Sequence, residues 1–405
     1  YAGDIIAIAS EDADFTENGV TTRDRGFVQV LSYSGGSWSQ LGELIVNPTK
    51  TSGTRIYSLT MNGDGTIIAF GVYESSNTGK VHIFQYSGGS WSQLGSSIMG
   101  ASQERIGGDQ DSLSLNEAGS IIAIGASPSG TGTVQVYQYN SGTSTWDQLG
   151  SDIPGDDSGD YAGYSVSLNS SGNTVIFGST YDHSATITDA GSVKVYQYDS
   201  GTTSWSQLGN SIYGEYSNAR MGWDVDINSD GTIIVAGAIY DKDGGNMSGD
   251  ARVFEYNSGT NNWDQIGSDI DGGSEYDQLG SQVSINSIGN FLAVGEKGTA
   301  GGVLFYHYSG GSWSQVGTTV VNTNTTGHTA NANYTIGETI ALSKDNTIMI
   351  YGQGSLGIDN VLLSGQAGVY KLESTITQTY SYANNRALVG IGVESPSYEL
   401  DVSGN

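Results

Sequence analysis

The sequence predicts an all-β fold, a seven-bladed β-propeller of four-stranded antiparallel blades. Three observations support this prediction. One apolar segment recurs seven times, a tryptophan recurs six times at regular spacing, and the composition of 61 Gly, 25 Tyr and 4 Pro suits short strands joined by tight turns. No segment has the periodicity of an amphipathic helix.

The apolar segment is the predicted second strand of each blade. Its copies are GDIIAIAS from Gly3, DGTIIAFG from Asp64, AGSIIAIG from Ala118, SGNTVIFG from Ser171, DGTIIVAG from Asp230, IGNFLAVG from Ile288 and DNTIMIYG from Asp345. Each blade contributes one copy, so the repeat predicts seven blades.

The first and third strands flank this segment. After each copy, a segment such as GTVQVYQYN alternates apolar and polar residues, which is the pattern of a half-buried strand. This segment is the predicted third strand. Before the second strand, an alternating run such as YSVSLNSSG from Tyr164 supplies the first strand.

The fourth strand carries a Trp, followed after one residue by Gln, an aliphatic residue and Gly. Six copies have this Trp and the seventh lacks it: Trp38, Trp91, Trp146, Trp205, Trp263 and Trp313. Their spacing of 50 to 59 residues is close to the repeat of about 40–50 residues in propeller blades. We expect each of these Trp side chains to pack between adjacent sheets. Trp223 lies in a first strand instead, where it faces either the next sheet or the central channel.

The strand order also predicts which loops share a face. Because antiparallel strands alternate in direction, the long second-to-third loops and the connectors between blades emerge together, on what we call the long-loop face. The tight NSDG-type turns between first and second strands lie on the opposite, tight-turn face.

Closure of the ring needs both ends of the chain. Tyr1 aligns with the turn before a second strand, so the first blade lacks its own first strand. We expect residues 375–382 to form the outer strand of the last blade and RALVGIGV from Arg386 to complete the first blade. The propeller would then span 1–385, with a closing strand and a junction to a stalk or downstream domain in 386–405. Alternatively, the missing strand belongs to sequence upstream of Tyr1.

Charge and composition exclude several classes of function. With 42 acidic and 14 basic residues, the formal net charge is −28, and nucleic acid is an unsuitable partner because phosphate binding needs clustered Lys and Arg. Cysteine is absent, which excludes disulfides and thiolate metal sites. No apolar run approaches the length of a membrane span, so we expect no membrane insertion.

Two blade connectors are candidate Ca²⁺ sites, because hard cations prefer several carboxylate oxygens. Four acidic side chains lie within nine residues in each connector: Asp152, Asp156, Asp157 and Asp160 in one, and Asp269, Asp271, Glu275 and Asp277 in the other. The alternative is that both connectors are solvated acidic loops. Ca²⁺ is the one cofactor candidate that the sequence offers.

Aromatic residues concentrate in the loops of the long-loop face, where flat rings can stack on sugars. The candidate ligand-binding residues are Tyr73, Tyr161, Tyr181, Tyr213, Tyr216, Tyr240, Tyr276, Arg105 and Arg220. Exposed Tyr residues are also common on protein surfaces without any binding role.

Signs of catalysis are weak in the sequence. Arg55, Arg105 and Arg220 fall near the ends of blade connectors, and three converging Arg residues could clamp a carboxylate, but no nucleophile accompanies them. No pair of acids stands out as having divergent pKa values. The four His residues lack metal-ligand spacing. These observations predict a protein that is not an enzyme.

The repeated pattern of SVSLN, DG, IIAIG and VQVYQY resembles the FG-GAP repeats of integrin-α-type propellers, over about residues 1 to 374. The resemblance implies the propeller fold, a surface protein of marine, algal or giant-virus type, and a Ca²⁺ loop of the DxDxDG kind. Asp226, Asn228 and Asp230 match three positions of that loop, but Ile234 stands where a further acid belongs. The final segment, 389–405, resembles the junction before the stem of phage and giant-virus fibres.

The leading functional prediction is therefore an extracellular or virion-surface recognition head that binds glycans or a host surface protein through the long-loop face. A stalk beyond Asn405 could make it a homo-oligomer. One alternative is a structural spacer or assembly domain of a fibre. The other is a glycan-processing hydrolase.

Overall fold

In the computed structural model, the described residues are 3–320, 336–343, 348–353, 366–371 and 387–393, apart from gaps at 11–14, 18–19, 23–24, 50, 52, 74–77, 102–103, 110, 127–129 and 299–300. These residues form strands and turns and contain no helix, so none of them could cross a membrane as a helix.

The strands assemble into seven sheets and one hairpin, numbered here in chain order. Sheet 1 contains β1 (Gly3–Ser10), β4 (Phe27–Ser34), β5 (Ser37–Gln40), β6 (Ile45–Val46) and β34 (Ala387–Val393), and the hairpin pairs β2 (Phe15–Glu17) with β3 (Val20–Thr22). Sheet 2 contains β7 (Arg55–Met61), β8 (Ile67–Tyr73), β9 (Gly79–Ser87), β10 (Ser90–Gln93) and β11 (Ile98–Met99). Sheet 3 contains β12 (Leu113–Leu115), β13 (Ile121–Ala126), β14 (Thr133–Asn140), β15 (Thr145–Gln148) and β16 (Ile153–Pro154).

The later sheets repeat this arrangement. Sheet 4 contains β17 (Ala162–Leu168), β18 (Thr174–Ser179), β19 (Ser192–Asp199), β20 (Ser204–Gln207) and β21 (Ile212–Tyr213). Sheet 5 contains β22 (Met221–Ile227), β23 (Ile233–Ala238), β24 (Asp250–Asn257), β25 (Asn262–Gln265) and β26 (Ile270–Asp271). Sheet 6 contains β27 (Leu279–Ile285), β28 (Phe291–Glu296), β29 (Gly302–Ser309) and β30 (Ser312–Gln315), and sheet 7 contains β31 (Ile336–Leu342), β32 (Ile348–Gln353) and β33 (Gln366–Lys371).

The fold is a β-propeller of small antiparallel sheets, as the repeat predicts. Among the described residues six sheets have four strands or more and form complete blades, whereas the sequence predicts seven. Sheet 7 shows three strands, and 375–382, the expected fourth strand, lies outside the described residues.

The first blade is completed from the other end of the chain. Strand β34 pairs antiparallel with β1, with Ile6 opposite Ile391, at the position expected for the segment from Arg386. Strand β34 also contacts β7, β31 and β32, so sheet 1 lies between sheets 2 and 7.

The apolar core lies between adjacent sheets. One cluster, for example, joins Val134 and Val136 of sheet 3 to Val166 and Phe177 of sheet 4. Neighbouring sheets cover both faces of a propeller sheet. The second strand of each repeat is therefore an almost continuous apolar run.

The fourth-strand motif connects each sheet to the one before it. The indole N–H of Trp205 donates a 2.7 Å hydrogen bond to the carbonyl oxygen of Leu149 in the previous sheet. The same contact joins Trp91, Trp146, Trp263 and Trp313 to the preceding sheets. The prediction that these Trp side chains pack between sheets is confirmed, and the aliphatic residue of the motif supplies the acceptor.

Glycine pairs let the inner strands of adjacent sheets approach closely. A Cβ atom on Gly178 would lie 1.9 Å from the carbonyl oxygen of Gly222, so only glycine fits there. Gly222 has φ of 82° and lies in a β-bulge between Met221 and Val225. Equivalent register shifts occur in β17 and β27.

Candidate functional site

The candidate site lies where the inner strands of sheets 3 to 6 meet at the centre of the propeller. It contains two carboxyl groups, Asp111 and Asp224, together with Gln282. Asp111 precedes β12 of sheet 3, Asp224 lies in β22 of sheet 5, and Gln282 lies in β27 of sheet 6.

Irregular backbone places these three side chains. Eight positions separate Gly107 from Leu115 in sheet 3, whereas five separate the equivalent Gly163 and Leu168 in sheet 4. The extra residues carry Asp111, whose carbonyl oxygen accepts a 2.8 Å hydrogen bond from the N–H of Val166. Asp224 and Gln282 lie at the bulges of β22 and β27. Bulges commonly redirect side chains beside functional sites.

Hydrogen bonds connect the group across the centre. The Gln282 amide donates to Asp111 over 2.7 Å, and its carbonyl oxygen accepts from the N–H of Ile340 over 3.4 Å. The N–H of Val283 donates to Asp224 over 2.7 Å. Residues of sheets 3, 5, 6 and 7 therefore hold the carboxyl pair in place.

Burial dominates the electrostatics of the pair. It raises the pKa of Asp111 to about 6, against the opposing hydrogen bond from Gln282. It also raises the pKa of Asp224 well above the usual range, and the negative charge of Asp111 adds to this shift. Two neighbouring carboxylates do not ionise independently. Burial, with Asp224 only 5% exposed, therefore disfavours the charged form of both carboxyl groups, and the pair resists carrying two negative charges at once.

Aromatic rings lie beside the carboxyl pair. The ring centroids of Tyr164 and Trp223 are 5.0 Å apart, and those of Trp223 and Tyr240 are 6.3 Å apart. Burial raises the pKa of Tyr164, and the charges of Asp109 and Asp111 raise it further, so its phenol stays protonated. Trp223 therefore contacts the neighbouring sheet 4 at a point that is also beside the central site. The sequence analysis left open whether Trp223 faces a neighbouring sheet or the central channel, and the structure places it next to both.

A second polar layer lies one step nearer the tight-turn face. Asp226 accepts hydrogen bonds of 2.8 Å from Ser167 in sheet 4 and 2.9 Å from the N–H of Ile285 in sheet 6. Asn228 accepts instead from Thr232 within its own turn, and Asp230 is exposed. The three residues of the resembled Ca²⁺ loop therefore point to different partners. This layer borders a cavity of about 230 Å³ that also contacts Thr60 and Ser114.

Three of the predicted ligand-binding tyrosines, Tyr161, Tyr181 and Tyr240, lie at the edge of the central site. The ring of Tyr181 lies 4.8 Å from that of Tyr161, and the guanidinium of Arg220 lies 3.4 Å above the Tyr181 ring. Tyr240 contacts Trp223, as described above. Arg220 also pairs with Asp189 over 3.7 Å, which fixes it at this edge of the site.

The other four predicted tyrosines have different partners. Tyr73 lies under the guanidinium of Arg105, with 4.6 Å between that group and the ring centroid. The Tyr216 hydroxyl bonds to Asp243, and Tyr276 accepts a 3.0 Å hydrogen bond from Asn246. Tyr213 ends the short strand β21. Tyr216 and Tyr276 thus both contact the loop between β23 and β24, whereas Tyr73 and Tyr213 belong to sheets 2 and 4.

The first acidic connector already has an internal cation. Lys194, 1% exposed, lies 2.8 Å from Asp156 and 3.0 Å from Asp182. Asp160 is buried. One ligand atom each from Asp160, Asp182 and His183 lie within 4.8 Å of one another, a spacing that a single metal ion can bridge. Asp157 lies 3.8 Å from His183, and Asp152 accepts from Gln148 over 2.5 Å.

The second acidic connector divides into two parts. Asp269 and Asp271 lie near the carboxylates of sheet 5, and burial followed by the charge of Asp269 raises the pKa of Asp271. Asp277 instead accepts a 2.7 Å hydrogen bond from the N–H of Ser274, within its own turn, and Glu275 is exposed.

No protein-family model and no curated protein sequence matches the chain. Similar solved structures include a candidate 6-phosphogluconolactonase from Bacteroides uniformis, at 12% identity and a TM-score of 0.57, covering 96% of this chain and 99% of that one. The periplasmic gluconolactonase of Pseudomonas aeruginosa has 13% identity and a TM-score of 0.57, covering 97% and 98%. A hypothetical selenium-binding protein from Sulfolobus tokodaii has 12% identity and a TM-score of 0.63, covering 98% and 96%. At this identity the likeness establishes the propeller fold.

These comparisons correct two functional predictions. The sequence predicts a non-enzymatic recognition head, whereas two of these three similar structures are named as lactonases. Both the recognition head and the absence of enzymatic activity are therefore wrong. The sequence analysis could not identify the pairing of Asp111 with Asp224, because these residues lie in different repeats and meet only when separate blades come together.

Sequence reasoning missed Asp111, Asp224, Gln282 and Tyr164. One signal was present, since the third repeat is longer than its neighbours between Gly107 and Leu115. An extension that interrupts an inner strand and adds two acids indicates a functional insertion, because a loop without a role would be expected at the outer turns.

Proposed function

We propose that this protein is a hydrolase that opens a sugar lactone or a related carbohydrate ester at the central carboxyl pair. The observation that carries the proposal is the pairing of two carboxyl groups with raised pKa values, Asp111 and Asp224, beside the Tyr164 phenol and within reach of the Gln282 amide. Acids whose pKa values are raised by burial and by a neighbouring charge in a shared pocket are typical of acid–base catalysis.

The proposed reaction uses Asp111 as the general base. Its carboxylate removes a proton from water while the water oxygen attacks the ester carbonyl carbon. The Tyr164 phenol donates a hydrogen bond to the resulting oxyanion. The carbon–oxygen bond of the ring then breaks, and the proton held by Asp111 passes to the departing alkoxide oxygen. No oxidant or reductant is needed.

The substrate class follows from the charge and shape of the site. The rings of Tyr164, Trp223 and Tyr240 offer apolar faces for a sugar ring. Asp109 and Asp111 disfavour a phosphate group at the same position, because like charges repel strongly in a partly desolvated site. We therefore expect an uncharged sugar lactone rather than a phosphorylated one.

The test measures hydrolysis of glucono-1,5-lactone and of its 6-phosphate by proton release at constant pH. We expect turnover of the uncharged lactone and a loss of at least about 100-fold in kcat for Asp111→Asn. Asp152→Asn is the matched control, since Asp152 is an exposed acid on a connector. Turnover that survives in Asp111→Asn, or the absence of turnover on both lactones and on neutral glycans, would exclude the proposal.

A seven-bladed ring is the architecture that we propose for the complete fold. Sheet 7 contacts sheet 6 through β31 and β28, and it contacts sheet 1 through β32 and β34. Both contacts match those between complete blades. An experimental map that shows 372–386 pairing with β33 would support this count.

A further inference from the structure

Six carboxylates gather around one buried guanidinium on the long-loop side of sheet 5. The sheet-5 carboxylate cluster consists of Glu215, Asp241, Asp243, Asp250, Asp269 and Asp271. Arg252 pairs with Asp250 over 2.8 Å and with Glu215 over 3.2 Å. One positive charge thus faces six acids, while Lys242 is exposed beside them.

Two of these carboxylates are buried and incompletely bonded. Asp241 and Asp250 are each 1% exposed. One oxygen of each, Oδ2 of Asp241 and Oδ1 of Asp250, has no hydrogen-bond partner among the described residues. A buried carboxylate oxygen without a donor is costly, so such oxygens indicate a missing cation or donor.

The equivalent position in sheet 4 shows what is missing. There, Asp182 occupies the place of Asp241, and its carboxylate accepts from the Ser192 hydroxyl over 2.6 Å and from Lys194 over 3.0 Å. Sheet 5 has Asp250 where sheet 4 has Ser192, and Arg252 where sheet 4 has Lys194. The replacement of Ser by Asp exchanges a hydrogen-bond donor for a second acceptor.

The rim of the cluster can supply further ligands. One carboxylate oxygen each from Glu215, Asp243 and Asp269 lie within 4.8 Å of one another, a spacing that a single metal ion can bridge. Burial raises the pKa of Asp250 and the negative charges of Asp241, Asp269 and Asp271 raise it further, so its buried carboxylate lies close to this same group of acids. Six or more oxygen ligands without nitrogen or sulfur are typical of Ca²⁺.

We propose that the sheet-5 carboxylate cluster binds one Ca²⁺ ion. Its ligands come from two connectors, the loop after β23 and the first residue of β24, rather than from one connector or from the turn at Asp226. Arg252 pairs with Asp250 and Glu215, so the ion supplies the further positive charge that the remaining carboxylates and the unpartnered oxygens of Asp241 and Asp250 lack. It also joins sheet 5 to the connector that leads to sheet 6. This site is separate from the central carboxyl pair, so it does not depend on the proposed hydrolase activity.

The experiment titrates Ca²⁺ into chelator-treated full chain by calorimetry and records the melting temperature with Ca²⁺ and with Mg²⁺ at equal ionic strength. We expect one binding event and a larger rise in melting temperature with Ca²⁺. Asp243→Asn should weaken binding about tenfold or more. Asp157→Asn, which changes an exposed connector acid of sheet 4, should leave binding unchanged.

A second variant distinguishes loss of the Ca²⁺ site from loss of the fold. Asp250→Ser restores the donor found in sheet 4, so it should fold and lose most of its stabilisation by Ca²⁺. Unaltered Ca²⁺ binding in both Asp243→Asn and Asp250→Ser would overturn the proposal. So would equal rises in melting temperature with Ca²⁺ and Mg²⁺, because general screening of an acidic surface would then explain them.

Discussion

The side-chain amide of Gln282 donates a 2.7 Å hydrogen bond to the carboxylate of Asp111, which joins sheet 6 to sheet 3 across the centre of the propeller. Other inner-strand contacts, such as that of Ser167 with Asp226, join adjacent sheets. The bond between Gln282 and Asp111 therefore spans the channel, and it also tunes the titration of the acid that we propose as the base.

Removal of this bond should shift the pH dependence of hydrolysis. The Gln282 amide stabilises the ionised form of Asp111, so Gln282→Met should raise the pKa of Asp111 above about 6. A base must be deprotonated to act, so the midpoint of kcat/KM against pH should move to higher pH. The exposed substitution Gln207→Met serves as the control. A midpoint that stays in place or moves to lower pH would contradict this assignment.

Neutralising Asp111 should stabilise the folded protein at alkaline pH. Its pKa is about 6 in the folded state against 3.8 for the free group, so the unfolded chain ionises more readily between these values. The penalty is absent below the lower value, grows as pH rises, and is complete above the higher one. Asp111→Asn should then increase the free energy of unfolding by on the order of 2 kcal/mol at pH 8, with little change below pH 4.

Denaturant unfolding of Asp111→Asn and wild type at both pH values measures this difference. Asp147 offers a control of opposite sign, because hydrogen bonds from Asn140 and Thr145 lower its pKa. Asp147→Asn should therefore not stabilise the protein at pH 8. If Asp111→Asn destabilises the protein at alkaline pH, the carboxylate is satisfied in the folded state and the proposed origin of its pKa is incorrect.

Loss of an inter-sheet indole contact should weaken the ring locally. Trp205→Phe removes the donor to the Leu149 carbonyl and leaves that acceptor without its partner. We expect a loss of about 2 kcal/mol in the free energy of unfolding, from the lost bond together with reduced packing. Thermal unfolding should show this loss, whereas Ser206→Ala on the exposed side of the same strand should be nearly neutral.

A side chain at the glycine contact between sheets 4 and 5 should not be tolerated. The added Cβ of Gly178→Ala would lie 1.9 Å from the Gly222 carbonyl oxygen, which is backbone and cannot move aside without shifting the bulge. We expect a loss of about 3 kcal/mol or more, measured by denaturant unfolding. At Gly130 a Cβ meets nothing within 4 Å, so Gly130→Ala should have little effect. Equal stability of the two variants would show that the blades can separate at this point.

Local sequence patterns were sufficient to predict the repeating part of the fold. Strand alternation, as in GSVKVYQYD of β19, and the recurring Trp depend on residues close in sequence, so the blade and its inter-sheet packing could be predicted. The candidate site could be predicted only in part. Tyr181, Tyr240 and Arg220 lie at its edge, while the acidic connectors suggested a metal site but not which carboxylates share an ion.

The sequence by itself determined the all-β class, the blade repeat and the separation of long loops from tight turns, because each depends on periodicity and turn chemistry within one repeat. Only the tertiary structure decided that Asp111 meets Gln282, that β34 completes the first blade, and that Asp241 and Asp250 are buried without enough donors. The first two relationships join residues from separate parts of the chain, and the third depends on the burial of sheet 5 by its neighbours. Their distances and electrostatics are set by closure of the ring, which no local pattern encodes.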